Sequence, residues 1–131
     1  MLKEYQYTSP NTSRELKNIG ICKKADYYWR RLRNQYILVP QSKYLFGIYR
    51  IPAFSLAELG EMIPWGFFQA AIVHKMPGNI WQVKLSDGKM HNYALEVEAR
   101  AWYLIDLIKN GQVKVVDINP VKKTLSVAKP S

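Results

Sequence analysis

The segment Ile51-Pro52-Ala53-Phe54-Ser55-Leu56-Ala57-Glu58-Leu59-Gly60-Glu61-Met62-Ile63-Pro64 constrains the fold more tightly than any other part of the chain. Ser55 can accept a hydrogen bond from the backbone of the first helical turn. Glu58, three residues on, can reach back to the Ser55 N–H, which completes a capping box. Phe54 precedes the cap and can pack on Leu59 as a hydrophobic staple. Pro64 has no N–H and biases Ile63 away from helical geometry, so the helix must end there. The spacing predicts a short helix over 55–63. These residues direct folding, and none of them forms a pattern that does chemistry.

Other segments carry similar punctuation. Thr12-Ser13-Arg14-Glu15 repeats the capping-box pattern ahead of Leu16 and Ile19, and Gly20 supplies a stop, so a two-turn helix is expected there. Tyr27–Leu32 and Tyr36–Val39 read as two strands of an aromatic hairpin around the polar break Arg33-Asn34-Gln35, with a helix over Lys23–Asn34 as the rival. Tyr44–Ile51 suggests a further strand, and an apolar run follows Trp65-Gly66-Phe67-Phe68 through Val73. Ile80–Leu85 and Met90–Tyr93 flank Asp87-Gly88, a favoured two-residue turn with φ positive at both positions. Trp81, Val83 and Leu85 should then share one face, and Gln82 and Lys84 the other. In 96–110, Val97, Ala101, Leu104 and Ile108 fall on one helical stripe, with Glu96 and Glu98 at the start, Lys109 at the end and Gly111 as the stop. Val113–Asp117 looks like a closing strand, and residues 120–131 like an edge strand or a basic tail.

A chain of 131 residues with 48% hydrophobic content can bury one core and is too short for two ordinary domains. We therefore expect one α+β domain: an antiparallel sheet built from hairpins, packed by the 96–110 helix and the 55–63 helix. The tight hairpins argue against a doubly wound parallel sheet. No apolar run approaches the roughly 20 residues of a bilayer span, so no membrane partner is expected. The residues after Met1 lack a secretory signal's apolar stretch, and the single cysteine, Cys22, has no intramolecular disulfide partner. Both features favour a reducing cytoplasm.

Charge is the one compositional trait that points to a partner. The net charge is +9, and residues 1–50 hold ten Lys/Arg against three Asp/Glu. A basic half of this kind raises affinity for polyanions.

Four landmarks stand in order: Leu16-Lys17-Asn18-Ile19-Gly20-Ile21, Ala25-Asp26-Tyr27-Tyr28-Trp29, Pro52-Ala53-Phe54-Ser55-Leu56 through Ile63-Pro64, and Ala99-Arg100-Ala101 through Leu104-Ile105 to Asn110-Gly111. Over about residues 12 to 111 this order resembles a group of small uncharacterised proteins from phages, prophages and mobile elements of gut Bacteroidetes. The resemblance implies a cytoplasmic accessory protein of a mobile element and carries over no catalytic residue.

Chemistry-bearing residues are sparse. His74 and His91 belong to no metal or nucleophile motif, and Cys22 beside Lys23 and Lys24 has no partner pattern. There is no glycine-rich phosphate loop. Glu58 and Glu15 are read as helix caps, Glu96 as a partner of Arg100, and Asp87 as a turn residue. No catalytic residue, cofactor or metal is expected. The candidate binding segment is Lys23–Arg33. On a strand, Tyr27, Trp29, Arg31 and Arg33 would share a face suited to stacking and phosphate contacts, or to a protein interface; the competing reading is a half-buried strand with snorkelling arginines. Trp102 lies off its helix's apolar stripe and is either covered by a second layer or exposed as a contact. The favoured reading is a non-enzymatic accessory protein that binds a protein partner, with nucleic-acid binding through 23–33 as the alternative. An unpaired strand edge leaves homo-oligomer formation open.

Overall fold

The computed structural model describes residues 4–41, 51–63 and 74–119, without the side chain of His74. They form an α+β fold of three α-helices and two antiparallel three-stranded sheets. After a 3₁₀ turn at Glu4–Gln6 come α1 (Pro10–Asn18), β1 (Tyr27–Leu32), β2 (Gln35–Pro40), β3 (Ile51–Ala53) and α2 (Leu56–Met62). Next are β4 (His74–Met76), β5 (Ile80–Lys84), β6 (Met90–Tyr93), α3 (Glu96–Lys109) and a second 3₁₀ turn at Val115–Asp117. The strand orders are β2-β1-β3 and β4-β5-β6. Most of the 44–51 segment, Pro64, Trp65 to Val73 and residues 120–131 lie outside the described residues; of the strand expected at 44–51, only Ile51 falls among them, as the first residue of β3.

The central helix forms as its sequence instructs. Ser55 Oγ accepts from the Glu58 N–H at 3.3 Å, and the Glu58 carboxylate accepts from the Ser55 N–H at 2.9 Å. Phe54 and Leu59 are both buried in the main core. The α1 start differs from expectation. Ser9 is the N-cap, with Pro10 in the first turn. Proline at the first helical position loses no hydrogen bond and has its φ preset, so the helix begins at once. Thr12 and Ser13 are therefore buried inside it. Glu15, expected as a cap, instead pairs with Lys109 at 2.8 Å.

The stop at Gly20 holds. Its φ is +108°, Gly20 N–H donates to Lys17 O and Ile21 N–H to Leu16 O, each at 3.0 Å. This is the Schellman pattern, and Leu16 and Ile21 are both buried in the main core. Residues 113–117 are not a strand. Their backbone bonds turn inward, with Asp117 N–H to Lys114 O and Ile118 N–H to Val115 O. Val115 lies over Gly20, while Asn119 accepts from the Cys22 N–H and donates to the Gly20 carbonyl. The segment closes the end of α1 and joins neither sheet.

Both aromatic hairpins form, each with a detail that local spacing missed. The β5–β6 loop has φ positive only at Gly88. Gly88 N–H bonds Leu85 O, and Leu85 N–H bonds Lys89 O. Glycine therefore supplies the left-handed residue that follows a turn, and Asp87 keeps an ordinary backbone. Strand β4, not anticipated, pairs His74↔Gln82 to Met76↔Ile80. Pro77-Gly78 is the turn signal that would have revealed it.

The main core joins α1, α2 and α3 to Tyr28 of the first sheet and Val83 of the second. Val97, Ala101 and Leu104 are buried as the helical stripe requires, and Ile105 and Leu107 widen it. Trp29, Leu38, Ile51 and Ala53 form a second small core on the other face of the first sheet, with Tyr7, Tyr27 and Tyr36 packed against it.

Candidate functional site

β1 is the middle strand of its sheet, with both its edges paired where β3 joins it, from Tyr27↔Ala53 to Trp29↔Ile51, and a core lies on each face there. Tyr28 enters the main core and Trp29 the second. Trp29 is 4% exposed, and its indole N–H donates to the Thr8 carbonyl at 2.7 Å. It is a core side chain with its polar atom satisfied, and it offers no open ring. Tyr27 is half-buried against Tyr7. Arg31 is exposed further along the strand, and Arg33 is in the turn with φ 58°. The structure thus separates the four residues expected on one face into a buried aromatic base and an exposed basic tip.

Trp102 is half-buried and packs on the main core. Its indole N–H donates to Thr12 Oγ1 at 3.1 Å, so α1 is the layer that covers it. A part-buried polar cluster fixes α1 there. Ser9 N–H donates to Glu98 Oε2 at 2.8 Å, and the Thr12 hydroxyl donates to Glu98 Oε1. The Glu98 carboxylate therefore sits on the N-terminus of α1, where unpaired N–H groups favour an anion.

The uncovered side of Trp102 lines an apolar groove of about 500 Å³ between α3 and the β5–β6 hairpin. Leu85, Tyr93 and Ile105 complete its apolar wall, and His91, Asp106 and Lys109 supply polar groups. Each of those three is tied down. His91 Nε2 lies 2.9 Å from Asp87 Oδ2. Asp106 accepts from the Ser86 N–H at 3.0 Å, from the Ser86 hydroxyl at 2.7 Å and from Asn110 Nδ2 at 3.1 Å. Lys109 is the partner of Glu15.

Two groups here have displaced acidities. The Asp87 carboxyl is held below its ordinary value, first by the Lys89 N–H and then by the His91 hydrogen bond. Burial pushes the Tyr93 phenol up, and the negative charges of Glu98, Asp106 and Asp87 add to the shift. The groove therefore presents a neutral phenol beside an indole wall across the physiological range. The Ser86 hydroxyl donates to Asp106 Oδ1 and not to the His91 imidazole. What the arrangement can do is hold an apolar or aromatic group against preset polar contacts.

Sequence reasoning singled out Trp102 but not Leu85, Tyr93, Ile105 or Asp106. Part of the signal was present: Leu85 continues the inward Trp81/Val83 alternation, and Tyr93 pairs with Trp81 across the hairpin. A second hollow of about 390 Å³ lies between Tyr5, Tyr7, Leu56, Trp81 and Leu95. Glu96 on its edge is engaged by Arg100 at 2.9 Å, as expected. Among the described residues no group of three or more His, Cys, Asp or Glu side chains is placed to hold a metal ion, and no helix is long and apolar enough to cross a membrane. No protein-family model, curated protein or solved structure matches this chain.

Proposed function

We propose that this chain is a non-enzymatic binding protein that takes an apolar anchor side chain of a protein partner into the Trp102 groove. The observation that carries the reading is Trp102 itself. Its indole N–H is already satisfied by Thr12, so only the ring remains for a partner, and no hydrogen bond has to be broken to bind one. The polar groups beside it are also held in place before any partner arrives, which lowers the ordering cost of association. Tryptophan in such a setting is the residue type that most often dominates an interface. The groove is open to solvent, which suits a side chain presented on a peptide better than a small molecule needing enclosure on most of its surface. The resemblance to phage and mobile-element proteins supplies the setting: an accessory protein whose partner is a host or element protein.

The test is selection from a displayed random peptide library, with Trp102→Ala as the counter-selected chain. Enriched peptides should share an aromatic or leucine anchor and bind the variant at least tenfold more weakly. Peptides that bind both chains equally would place the interaction elsewhere and remove this reading. Circular dichroism of the variant guards against loss of fold.

A further inference from the structure

Strand β6 ends the second sheet, and the hydrogen bonding of its hairpin fixes which of its backbone groups face outward. Among the described residues β6 pairs only with β5, from Trp81↔Tyr93 to Lys84↔Met90. The Leu85 N–H bonds the Lys89 carbonyl at 3.2 Å, so Leu85↔Lys89 is a bonded position of the ladder. Bonded and non-bonded pairs alternate along an antiparallel ladder. His91 and Tyr93 therefore turn their N–H and C=O groups to β5, whereas Met90 and Asn92 turn theirs to the outer edge. Exposure agrees with this parity: Met90 and Asn92 are exposed, and His91 and Tyr93 are half-buried.

The Trp102 groove lies beside this edge. Side chains alternate along a strand, so His91 and Tyr93 share one face, and both line the groove. On α3, Trp102, Ile105 and Lys109 stand at helical spacing along the opposite wall. Val83, which pairs with His91, is fully buried in the main core. The hollow therefore gives onto solvent along β6 and not over β5. Sheet edges are commonly blunted with lysine, proline or a bulge. The run Met90-His91-Asn92-Tyr93 contains none of these, whereas β4 at the opposite edge carries Lys75 and β2 ends in Pro40.

We infer that β6 and the Trp102 groove together take an extended peptide as an added antiparallel strand. The inference rests on the groove as the anchor site and assigns the partner its conformation and its side-chain pattern. The peptide residue opposite Asn92 exchanges two backbone hydrogen bonds with it, and the residue opposite Met90 does the same. The residues opposite Tyr93 and His91 then face α3, because alternate side chains share a face. These are two apolar anchors separated by a single residue, packed against Tyr93 on one wall and Trp102 and Ile105 on the other. The residue between them lies on the outer face of the hairpin, with Gln82 and Lys84. Lys84 and Lys89 take part in no salt bridge among the described residues. Together with the net charge of +9, they favour a carboxylate at that position. The partner segment is an extended apolar–acidic–apolar run.

The experiment uses a fluorescein-labelled peptide with a leucine–glutamate–leucine core flanked by threonines. Binding is followed by anisotropy, and amide hydrogen exchange of the full chain by NMR. The Met90 and Asn92 amides should exchange freely in the chain alone and at least tenfold more slowly when the peptide saturates it. Those of His91 and Tyr93 should stay protected throughout. N-methylation at the glutamate should weaken binding at least tenfold, because the Asn92 carbonyl loses its donor. N-methylation at either leucine should be tolerated, because those N–H groups point away from β6. Binding that is lost in Trp102→Ala yet indifferent to N-methylation, with no slowing at Met90 and Asn92, would overturn this inference and leave the groove reading standing. Equal binding by Trp102→Ala would overturn both. Absence of peptide binding would overturn the strand inference. So would slowing at Met90 and Asn92 that rises with protein concentration and needs no peptide, which would give the edge to a second copy of the chain.

Discussion

The β1–β2 hairpin pairs six residues on each side of a two-residue turn and the β5–β6 hairpin four on each side of a longer connection, and their turns are built on opposite terms. In β5–β6 the residue at positive φ is Gly88. The Asp87 carboxylate bonds the Lys89 N–H at 2.8 Å, and Ser86 is tied to Asp106 on α3. Every local choice supports the loop, and the hairpin is locked to the helix behind it. In β1–β2 the residue at positive φ is Arg33, and among the described residues the tip is held by a long 3.4 Å contact from Arg31 Nε to the Arg33 carbonyl. Its stability comes from its base, where Trp29 and Tyr28 are buried on opposite faces. One turn is chosen for folding. The other holds an arginine in a conformation that local preference gives to glycine.

Mutations should separate the two hairpins. Removing the base of the first, in Trp29→Ala, should cost about 3–5 kcal/mol in chemical denaturation, because a large ring leaves the second core and the Thr8 carbonyl loses the shorter of its bonds, keeping the Ser13 hydroxyl at 3.2 Å. A loss below about 1 kcal/mol would show that the hairpin does not depend on its base. Detaching the second from its helix, in Asp106→Ala, should cost about 1 kcal/mol, since three solvent-accessible bonds are lost; hydrogen exchange should quicken at Ser86 and Leu85 and stay unchanged at Arg31. At the tip of the first, Arg33→Gly should raise stability by roughly 0.5–1 kcal/mol, the left-handed penalty of a side chain less the entropy glycine brings. A decrease would mean that Arg33 makes folded-state contacts that matter more than its backbone cost.

The smallest effect concerns pH. Tyr93 on β6 has a raised pKa from burial and neighbouring carboxylates. A phenol that holds its proton more tightly when folded stabilises the fold fully below the unfolded value of about 10 and loses that contribution as pH rises through the folded value. The melting temperature should therefore fall above about pH 10, and Tyr93→Phe should flatten that fall. Asp87 works at the other end. Its lowered pKa gives a contribution present above the ordinary carboxylate value and lost as acid protonates it.

The residues closest in sequence proved the most legible. The Ser55–Glu58 box, the Gly20 and Gly111 stops, the α3 stripe and the Glu96–Arg100 pair all act over three to five positions, so adjacent residues suffice to specify them. The start of α1 was equally local. Ser9-Pro10 carried the signal, and the Thr-Ser-Arg-Glu pattern three residues later imitated it. The inward alternation of β5 was also readable, because a strand's faces follow from spacing alone.

Burial of β1 was not readable, because alternation tells which residues share a face and never what lies on it. Tyr27 and Trp29 do point together, but β3 and Tyr7 cover them, and only the folded chain brings those residues to β1. Glu98 is the same lesson at longer range: 89 residues separate it from the Ser9 it caps. The sequence by itself determined where helices start and stop and which strands turn back on one another, since those outcomes depend on local sterics and hydrogen bonds. Tertiary structure decided which aromatic is core and which lines a groove, because burial depends on neighbours that are distant along the chain.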